Sequence, residues 1–424
     1  MKRKFENKIE IMVIGLGYVG LPLALELAKH YKVFGFDINT KRINELRKGV
    51  DSTNEISKRN QSYLGKIQFT LNYSDCKAAS IFIITVPTPV DKKNEPNLKN
   101  LKDAANTVAK VIKRGDIVVI ESTVYPGVTE NIIAPIIEKQ AGLQSKKDFN
   151  MAYSPERINP GDSKYKISNI KKVVAADNNK TLNIISNIYK KIVKVGIHKA
   201  PNIKVAETSK AIENAQRDIN IAFVNEVAMI SRAMNIDSTE VFKAASTKWN
   251  FLNFKPGLVG GHCIGVDPFY LAKAAKLVGH NPEVILAGRK INDALPKFIF
   301  YQVIERIKKK SRVLILGLTF KENVSDIRNS KSATLQKLFK QNGYKVEVFD
   351  PLADKKESFI EYNIKLSFPK KKYDCIILAV AHKEFLMMKQ SKIIALFNNP
   401  SLLIDVKNIW NKKKLPEYVK KWSL

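Results

Sequence analysis

The stretch that decides the fold is Lys8–Asp37, KIEIMVIGLGYVGLPLALELAKHYKVFGFD. A short apolar run predicts a buried parallel strand at Ile11–Ile14, and helical periodicity follows over Leu21–His30. A second apolar run predicts another strand, which ends at Asp37. A strand, a helix and a strand in this order form a βαβ unit, so the chain is predicted to open with an α/β domain built on a parallel sheet.

The glycine pattern GLGYVG, residues 15–20, lies between the first strand and the helix. Gly15 permits the tight turn, Gly17 lets the backbone approach a pyrophosphate, and Gly20 lets the helix pack on the strand. Asp37 follows about twenty residues later, where a carboxylate binds the ribose 2′-hydroxyl and repels a 2′-phosphate. The pattern predicts an NAD site and disfavours NADP. The alternative is a tight strand–helix turn with Asp37 as an ordinary loop acid.

Length and composition predict a globular protein of two or three domains. The chain has 424 residues, of which 45% are hydrophobic and 26% charged, values close to those of ordinary soluble proteins. The sequence has no apolar run long enough to span a bilayer, and its basic start shows no cleavage-site pattern. We therefore expect a cytoplasmic protein without a membrane partner.

The cysteine pattern and the charge distribution argue against a disulfide-linked, a metal-binding and a nucleic-acid-binding protein. The three cysteines are scattered and lack metal-type spacing, which argues against disulfides and against a metal site. The net charge of +32 could indicate nucleic acid, but the lysines are not interleaved with aromatic residues as in a stacking platform. We expect no nucleic-acid partner and a basic surface that attracts an anionic substrate. A non-enzymatic nucleotide- or RNA-binding protein is the alternative.

The second half of the chain repeats the opening pattern. Residues 311–351 read as strand, glycine-containing turn, helix and strand, ending at Asp350. Lys321 follows the turn where a dinucleotide fingerprint would continue with glycines, which suits a nucleotide substrate better than a second NAD. The predicted fold is therefore α/β, with two Rossmann-like doubly wound domains joined by a long central helix.

A long helix is predicted from Ile203 to about Ile236, because the segment has helical periodicity and no glycine or proline. Its apolar face could be a dimer interface, which predicts a homodimer or a higher homo-oligomer. Lys210 and Asn214 lie four residues apart and share one face of this helix. The predicted domains are residues 1–200, 201–300 and 301–424.

The chain contains, in order, the motifs GLGYVGLP, TVPTP, YSPERINPGD, VAETSKAIENAQRDINIAFVNE, PGLVGGHCIGVDP and ILGLTFKENVSDIRNS. With these motifs it resembles the UDP-glucose/GDP-mannose dehydrogenase family over nearly its whole length. Within the family the motifs are similar to the branch that oxidises UDP-N-acetylhexosamines, foremost to the enzymes of the Vi-polysaccharide type that act on UDP-N-acetylglucosamine. The glucose branch typically has NPEFL where this chain has SPERI, residues 154–158, which points away from UDP-glucose.

The resemblance implies the catalytic roles. Cys263 is the nucleophilic thiol, Lys210 and Asn214 stabilise an oxyanion, Asp267 assists proton movement, and Glu156 orients or activates the hydrolytic water. The thiol would form a thiohemiacetal and then a thioester, which allows oxidation of an alcohol to an acid. The glycines around the cysteine would let sugar and nicotinamide approach the sulfur. For Asp267, helix capping is the alternative role.

The candidate site also includes contacts to the cofactor and to the substrate. Candidate cofactor contacts are Gly15, Gly17, Tyr18, Val19, Gly20, Asp37, Arg42, Thr88, Ser122, Thr123 and Arg328. Candidate substrate contacts are Arg157, Lys255, Gly260 and Lys321, and no metal is expected. The enzyme alternative is a two-electron 3-hydroxyacid-type NAD-dependent dehydrogenase, which needs neither the cysteine nor a second Rossmann-like domain. The product of the favoured reaction would supply bacterial surface polysaccharide synthesis.

Overall fold

The computed structural model describes residues 9–53, 56, 61–91, 93–158, 166–261 and 264–424. It divides into two compact units. The first contains the residues up to Glu213 together with Phe269–His280, and the second contains Asn214–Pro268 and Asn281–Leu424. The predicted boundaries near residues 200 and 300 stay a prediction.

An eight-stranded sheet forms the centre of the first unit. Its strands are β1 Glu10–Ile14, β2 Lys32–Phe36, β3 Ile67–Thr70, β4 Ile81–Ile84, β5 Ile117–Ile120, β6 Asn150–Tyr153, β7 Lys172–Ala176 and β8 Ile197–Lys199. Their order is β3-β2-β1-β4-β5-β6-β7-β8. The pairing of β6 with β7 is antiparallel, whereas the other pairs are parallel. Strands β2 and β3 follow on one side of β1, whereas β4 and the later strands follow on the other side. The topological switch point therefore lies between β1 and β4, which is where doubly wound sheets bind ligands.

Helices connect these strands. They are α1 Gly20–Leu27, α2 Thr40–Arg47, α3 Lys99–Ala109, α4 Ala134–Ala141 and α5 Asn179–Ile192. A π-helix at Thr129–Ile133 precedes α4, and short 3₁₀ helices lie at Gln61–Lys66, Tyr73–Cys76 and Ile167–Asn169. Helix α1 is shorter than the predicted Leu21–His30.

Helices α6 Ile203–Ala233 and α8 Asp267–Leu277 each contain residues of both units. Helix α6 has 31 residues and confirms the long helix expected from the sequence. It ends before Ile236, and Asn235 just beyond it has a left-handed φ of 57°, a conformation that stops a helix.

A five-stranded parallel sheet forms the second unit. Its strands are β9 Arg312–Leu316, β10 Lys345–Phe349, β11 Tyr373–Leu378, β12 Phe397–Asp405 and β13 Val419–Ser423, in the order β10-β9-β11-β12-β13. The remaining helices are α7 Ser238–Ala245, α9 Glu283–Ile304, α10 Lys331–Gln341, α11 Lys355–Tyr362, α12 Lys383–Leu386 and α13 Gln390–Ile394.

Both faces of this second sheet are buried. In β9, Val313 and Ile315 belong to one apolar cluster, whereas Leu314 and Leu316 belong to another. Because alternate side chains of a strand point to opposite faces, a continuous apolar run is required when both faces are covered. This confirms the predicted α/β class with a second parallel sheet. No helix within the described ranges is long and apolar enough to cross a membrane.

Candidate active site

The glycine turn after β1 has space for a phosphate group. Gly15 has a φ of 90°, which favours glycine, and its N–H donates to Phe36 O at 2.9 Å. A Cβ on Gly20 would lie 1.8 Å from Gly15 O, so this position requires glycine for helix packing. A Cβ on Gly17 would meet no atom within 4 Å. The open space beside Gly17, at the start of a helix, fits the pyrophosphate of a dinucleotide.

Asp37 lies at the end of β2, beside this turn. Its Oδ2 accepts the N–H of Leu16 at 2.8 Å and its Oδ1 accepts the N–H of Asn39 at 2.9 Å. Each carboxylate oxygen has more than one lone pair, and the residue is partly exposed. The carboxylate is therefore held in place and can still accept hydrogen bonds from ribose hydroxyls.

Arg42 supports the turn from within the protein. Its side chain is buried, its Nε donates to Leu16 O at 2.9 Å, and its guanidinium lies 2.9 Å from Asp51 Oδ1. The structure thus gives Arg42 a clear role in positioning the turn. A direct cofactor contact by Arg42 stays a prediction.

The loops after β4 and β5 meet at the same edge of the sheet. Thr88 Oγ1 donates to Thr123 O at 2.8 Å, and Ser122 Oγ donates to Val86 O at 2.6 Å. Strands β1, β4 and β5 are parallel neighbours, so their carboxyl ends face the same side as the glycine turn. The structure therefore brings these three predicted cofactor residues to the expected edge.

Glu156, in the loop after β6, is buried and firmly held. Its Oε1 accepts the N–H groups of Arg157 at 2.6 Å and of Ile158 at 2.8 Å, and its Oε2 lies 3.0 Å from Lys172 Nζ. The Arg157 guanidinium pairs with Glu213 at 2.7 Å. The loop therefore has a fixed carboxylate beside a partly exposed arginine.

Lys172 and Glu121 were missed by sequence reasoning. Lys172 Nζ donates to Glu121 Oε2 at 2.7 Å, and the hydroxyl of Tyr189 donates to the other oxygen of Glu121. Burial raises the pKa of Glu121. Burial also opposes ionisation of Glu156, but the Lys172 ammonium and the two N–H groups outweigh it and lower the pKa of Glu156. The available signal in the sequence is that Glu121 directly follows one apolar strand and Lys172 begins another.

In the second unit, two predicted catalytic residues contact each other. Asn214 Nδ2, on α6, donates to Asp267 Oδ2 at 2.5 Å. Asp267 is the first residue of α8 and is only 2% exposed. The two residues are 53 positions apart in the chain, so the hydrogen bond fixes the start of α8 against the long helix.

Lys210 lies one turn before Asn214 on α6. It is 8% exposed, and it has no hydrogen-bond or ion-pair partner within the described ranges of the chain. A lysine this buried is normally paired. The predicted role of Lys210 in stabilising an oxyanion stays a prediction.

Cys263 itself, with His262, lies outside the described residues, but the glycines around it are described. A Cβ on Gly260 would lie 2.4 Å from Asn329 O, and one on Gly261 would lie 2.5 Å from the Phe320 ring. At Gly265 the obstacle would be Asn329 Nδ2, at 2.6 Å. Glycine is therefore required at these three positions for close packing, and the expectation that these glycines also let sugar and nicotinamide approach the sulfur stays a prediction.

A buried asparagine anchors the start of the same loop. The Asn225 side chain accepts the N–H of Gly257 at 2.8 Å and donates to Gly257 O at 3.2 Å and to Asn292 Oδ1 at 2.8 Å. Sequence reasoning missed this residue. A polar side chain on the apolar face of a long helix was the available signal, since buried amides need partners.

The remaining candidates lie in loops of the second unit. Lys321 contributes to a small pocket that Lys331, Lys407 and Glu322 also line; Lys407 pairs with Glu322 at 2.9 Å and Lys331 with Asp293 at 2.7 Å. Arg328 makes a two-pronged ion pair with Asp326, and Lys255 is exposed. Their ligand contacts stay predictions. The described residues contain no group of three or more His, Cys, Asp or Glu arranged to hold a metal ion.

Three parts of the chain match models of the UDP-glucose/GDP-mannose dehydrogenase family. Residues 9–193 match its NAD binding domain, residues 204–294 its central domain, and residues 314–412 its UDP binding domain. The glycine turn and Asp37 lie in the first part, the Asn214–Asp267 pair in the second, and the lysine-lined pocket mainly in the third.

Whole-chain relatives agree with these matches. The chain is 46% identical to the UDP-N-acetyl-D-glucosamine 6-dehydrogenase of Pseudomonas aeruginosa, across 96% of this chain and 98% of that one. It is 48% identical to Protein CapL of Staphylococcus aureus, across 98% and 99% of the two chains. The solved structure of a UDP-D-ManNAc dehydrogenase from Pyrococcus horikoshii matches with a TM-score of 0.86 at 31% identity, covering 97% of this chain and 99% of that one.

Proposed function

The chain belongs to the UDP-glucose/GDP-mannose dehydrogenase family, and from this premise we propose that it oxidises C6 of UDP-N-acetylglucosamine to the uronic acid. The substrate is taken from the Pseudomonas aeruginosa relative, which shares 46% identity over almost the whole of both chains. The site observation that carries the proposal is the hydrogen bond between Asn214 and Asp267, because it unites residues that the chemistry requires together.

The thiol of Cys263 explains how one enzyme removes two hydrides. Loss of the first hydride and the hydroxyl proton converts the C6 alcohol to an aldehyde, to which the thiolate adds. The resulting thiohemiacetal loses a second hydride from carbon together with its hydroxyl proton and becomes a thioester. Water then forms a bond to the carbonyl carbon, and the C–S bond breaks with its electron pair on sulfur. The covalent link prevents the aldehyde from escaping between the two oxidations.

The neighbouring side chains stabilise charge and move protons. Lys210 and Asn214 stabilise the oxygen that becomes negative as each tetrahedral species forms. Asp267 holds the Asn214 amide and accepts or returns a proton at its own carboxylate. Glu156 orients the hydrolytic water. These assignments assemble the roles that the sequence predicted, and the partly exposed Arg157 and the pocket around Lys321 would bind the substrate's anionic groups.

The N-terminal part of the chain is the family's NAD binding domain, and its residues fit the cofactor. NAD, when bound, accepts a hydride, so one sugar consumes two NAD and one water. Gly17 leaves room for the pyrophosphate, Gly20 lets the helix pack closely against the glycine turn, and Asp37 is placed for the ribose. The loops of Thr88 and Ser122 close the same edge of the sheet.

We propose a homodimer formed through α6. Val205, Ile212, Phe223 and Ile230 are 43%, 49%, 56% and 53% exposed, although all four are apolar. At about 100° per residue they fall within about 20° of one another around the helix. A stripe of exposed apolar side chains on one helix face is typical of a subunit interface.

The expected location is the cytoplasm, where nucleotide sugars for surface polysaccharides are made.

A panel of UDP-sugars tests the function directly. Purified protein is incubated with NAD and with UDP-N-acetylglucosamine, its N-acetylgalactosamine epimer or UDP-glucose, while the absorbance of reduced NAD is followed. We expect turnover of UDP-N-acetylglucosamine to be fastest and the epimer to be a secondary substrate. Faster turnover of UDP-glucose would refute the sugar assignment, and the absence of turnover with every sugar would refute the activity.

A further inference from the structure

A buried charged cluster supports the loop that carries Glu156. It consists of Glu121, Glu156, Lys172 and Tyr189. Lys172 Nζ lies 2.7 Å from a Glu121 oxygen and 3.0 Å from a Glu156 oxygen, and the three charged side chains are no more than 7% exposed. Lys172 is therefore the shared cation of two buried carboxylates.

The sheet topology explains how a lysine reaches this place. Glu121 follows β5 and Glu156 follows β6, so both lie at the carboxyl edge of the parallel strands. Strand β7 runs antiparallel to β6. Its first residue, Lys172, therefore lies at the same edge, where a parallel strand would instead place its last residue. The single reversed pairing of the sheet delivers a cation to the edge where ligands bind.

The contacts hold Glu156 in one orientation. Two backbone N–H groups donate to Oε1, and the Lys172 ammonium donates to Oε2. Two buried carboxylates cannot both stay ionised without a cation, because desolvation and mutual repulsion favour protonation of one of them. Glu121 and Tyr189 are the other titratable groups of the cluster, and Tyr189 donates to Glu121.

We propose that Lys172 is a positioning residue for the hydrolytic step: it keeps Glu156 ionised and fixed in one orientation, which Glu156 needs in order to act on the water that cleaves the thioester on Cys263. This rests on the proposed function. The attacking water donates a hydrogen bond to Glu156, its oxygen bonds to the thioester carbon, and the sulfur leaves as a thiolate. Both water protons end in solvent, because the product is a carboxylate. Lys172 touches neither substrate nor cofactor in this role.

The test separates hydrolysis from oxidation. Lys172→Met is mixed with UDP-N-acetylglucosamine and NAD in a single turnover, and intact-protein mass spectrometry follows the covalent sugar nucleotide. We expect both hydride transfers to occur and the adduct to persist, with decay about 100-fold slower at neutral pH because Glu156 is protonated or misplaced. Lys172→Arg keeps the charge and should restore most of the decay rate. Lys171→Met, a change in the exposed neighbouring lysine, is the matched control and should behave as wild type.

A pH jump distinguishes this role from a merely structural one. Without the cation, Glu156 ionises only at higher pH, so decay of the Lys172→Met adduct should accelerate as the pH is raised, whereas wild-type decay should change much less. Loss of packing alone would slow decay equally at all pH values. That result would overturn the proposal.

A second variant protects the test against unfolding. The double variant Lys172→Met with Glu121→Gln removes one buried cation and one buried carboxylate together. The net charge of the cluster is then unchanged, and Glu156 is its one remaining charged side chain. The double variant should fold and still accumulate the adduct. If the covalent adduct of the Lys172→Met variant or of the double variant decays at the wild-type rate, the proposed role of Lys172 is overturned. The proposed function would not be affected by that result. If the wild type reduces no NAD with any UDP-sugar, the proposed function fails, and this inference fails with it.

Discussion

Asp37 accepts the backbone N–H of Leu16 at 2.8 Å, which ties the end of β2 to the glycine turn after β1. The second unit repeats this bond, with Asp350 at the end of β10 accepting the N–H of Leu318 at 2.6 Å. The repeat explains why both halves of the sequence read as the start of a Rossmann-like domain. An acid at this place stabilises the turn whether or not a ligand binds.

The two acids differ in what else they can do. Asp350 is 6% exposed and also accepts the N–H groups of Thr319, Leu352 and Ala353 and lies 3.1 Å from His382. Its oxygens are fully used by the protein, whereas Asp37 is partly exposed with two N–H donors. Of these two acids, Asp37 is therefore the one that is able to bind a ribose.

The first prediction concerns this acid. Asp37→Ala should weaken NAD binding about 10-fold to 100-fold, because a hydrogen bond to a charged group contributes about 1.5–3 kcal/mol. Discrimination against NADP should relax, since the repulsion of the 2′-phosphate is removed. Titration of both cofactors measures the effect, with Asp103→Ala on the exposed side of α3 as control. Equal use of NADP by the wild type would contradict the ribose assignment.

The second prediction concerns the reactive thiol. Burial raises the pKa of Cys76 to about 12, and it also raises the pKa of the buried Cys375. Both thiols stay protonated at neutral pH, and the thiolate is the nucleophile. Iodoacetamide should therefore alkylate Cys263 first in the folded protein and abolish activity. Peptide mass spectrometry identifies the modified residue, and inactivation with Cys263 unmodified would count against its role.

The third prediction concerns electron stoichiometry. Wild type should produce two reduced NAD for each sugar, because the thiohemiacetal holds the aldehyde for the second hydride transfer. Cys263→Ser should lose acid formation, since a hydroxyl is a poor nucleophile at neutral pH. Absorbance of reduced NAD and chromatography of the uronic acid measure the ratio. One reduced NAD per sugar, or full activity of Cys263→Ala, would support a two-electron enzyme instead.

The fourth prediction concerns assembly. Phe223→Glu places a charge in the exposed apolar stripe of α6 and should convert the dimer to a monomer, because an unpaired charge is costly in an apolar interface. Light scattering measures the mass. Lys190→Glu, an exposed position on α5 and therefore outside the α6 stripe, should leave the dimer intact. A monomeric wild type would exclude the interface.

The fifth prediction concerns pH and stability. Burial opposes ionisation of Asp350, but His382 and the N–H groups of Thr319 and Leu318 outweigh it and lower the pKa to about 2. Because this value lies below the unfolded value of about 3.9, the carboxylate stabilises the fold above about pH 4 and loses that effect as the pH falls towards 2. Asp350→Asn should cost about 2–3 kcal/mol at neutral pH, because each unit of difference between the folded and unfolded pKa corresponds to about 1.4 kcal/mol. Urea unfolding should show this difference shrinking in acid, and a constant difference would contradict it.

Some parts of the candidate site could be predicted from the sequence and others could not, for physical reasons. The NAD turn was predictable because its glycines and Asp37 are close in sequence, and local backbone geometry fixes their roles. The contact between Asn214 and Asp267 was predictable only through the family resemblance, since no local rule joins residues 53 positions apart. The close packing of the glycines near Cys263 against Phe320 and Asn329 could not be predicted from the sequence, because these partners lie more than 50 residues away in the chain.

The sequence by itself determined the α/β class, the two parallel sheets and the long helix, because apolar periodicity and glycine spacing are local properties that one segment can express. Tertiary structure alone decided which polar groups are buried together. Lys172 became the partner of Glu121 and Glu156 because β7 pairs antiparallel with β6. Asn225 became the anchor of Gly257 because the loop folds back onto α6. Strand direction and loop return depend on the free energy of the whole core, which no single stretch of sequence encodes.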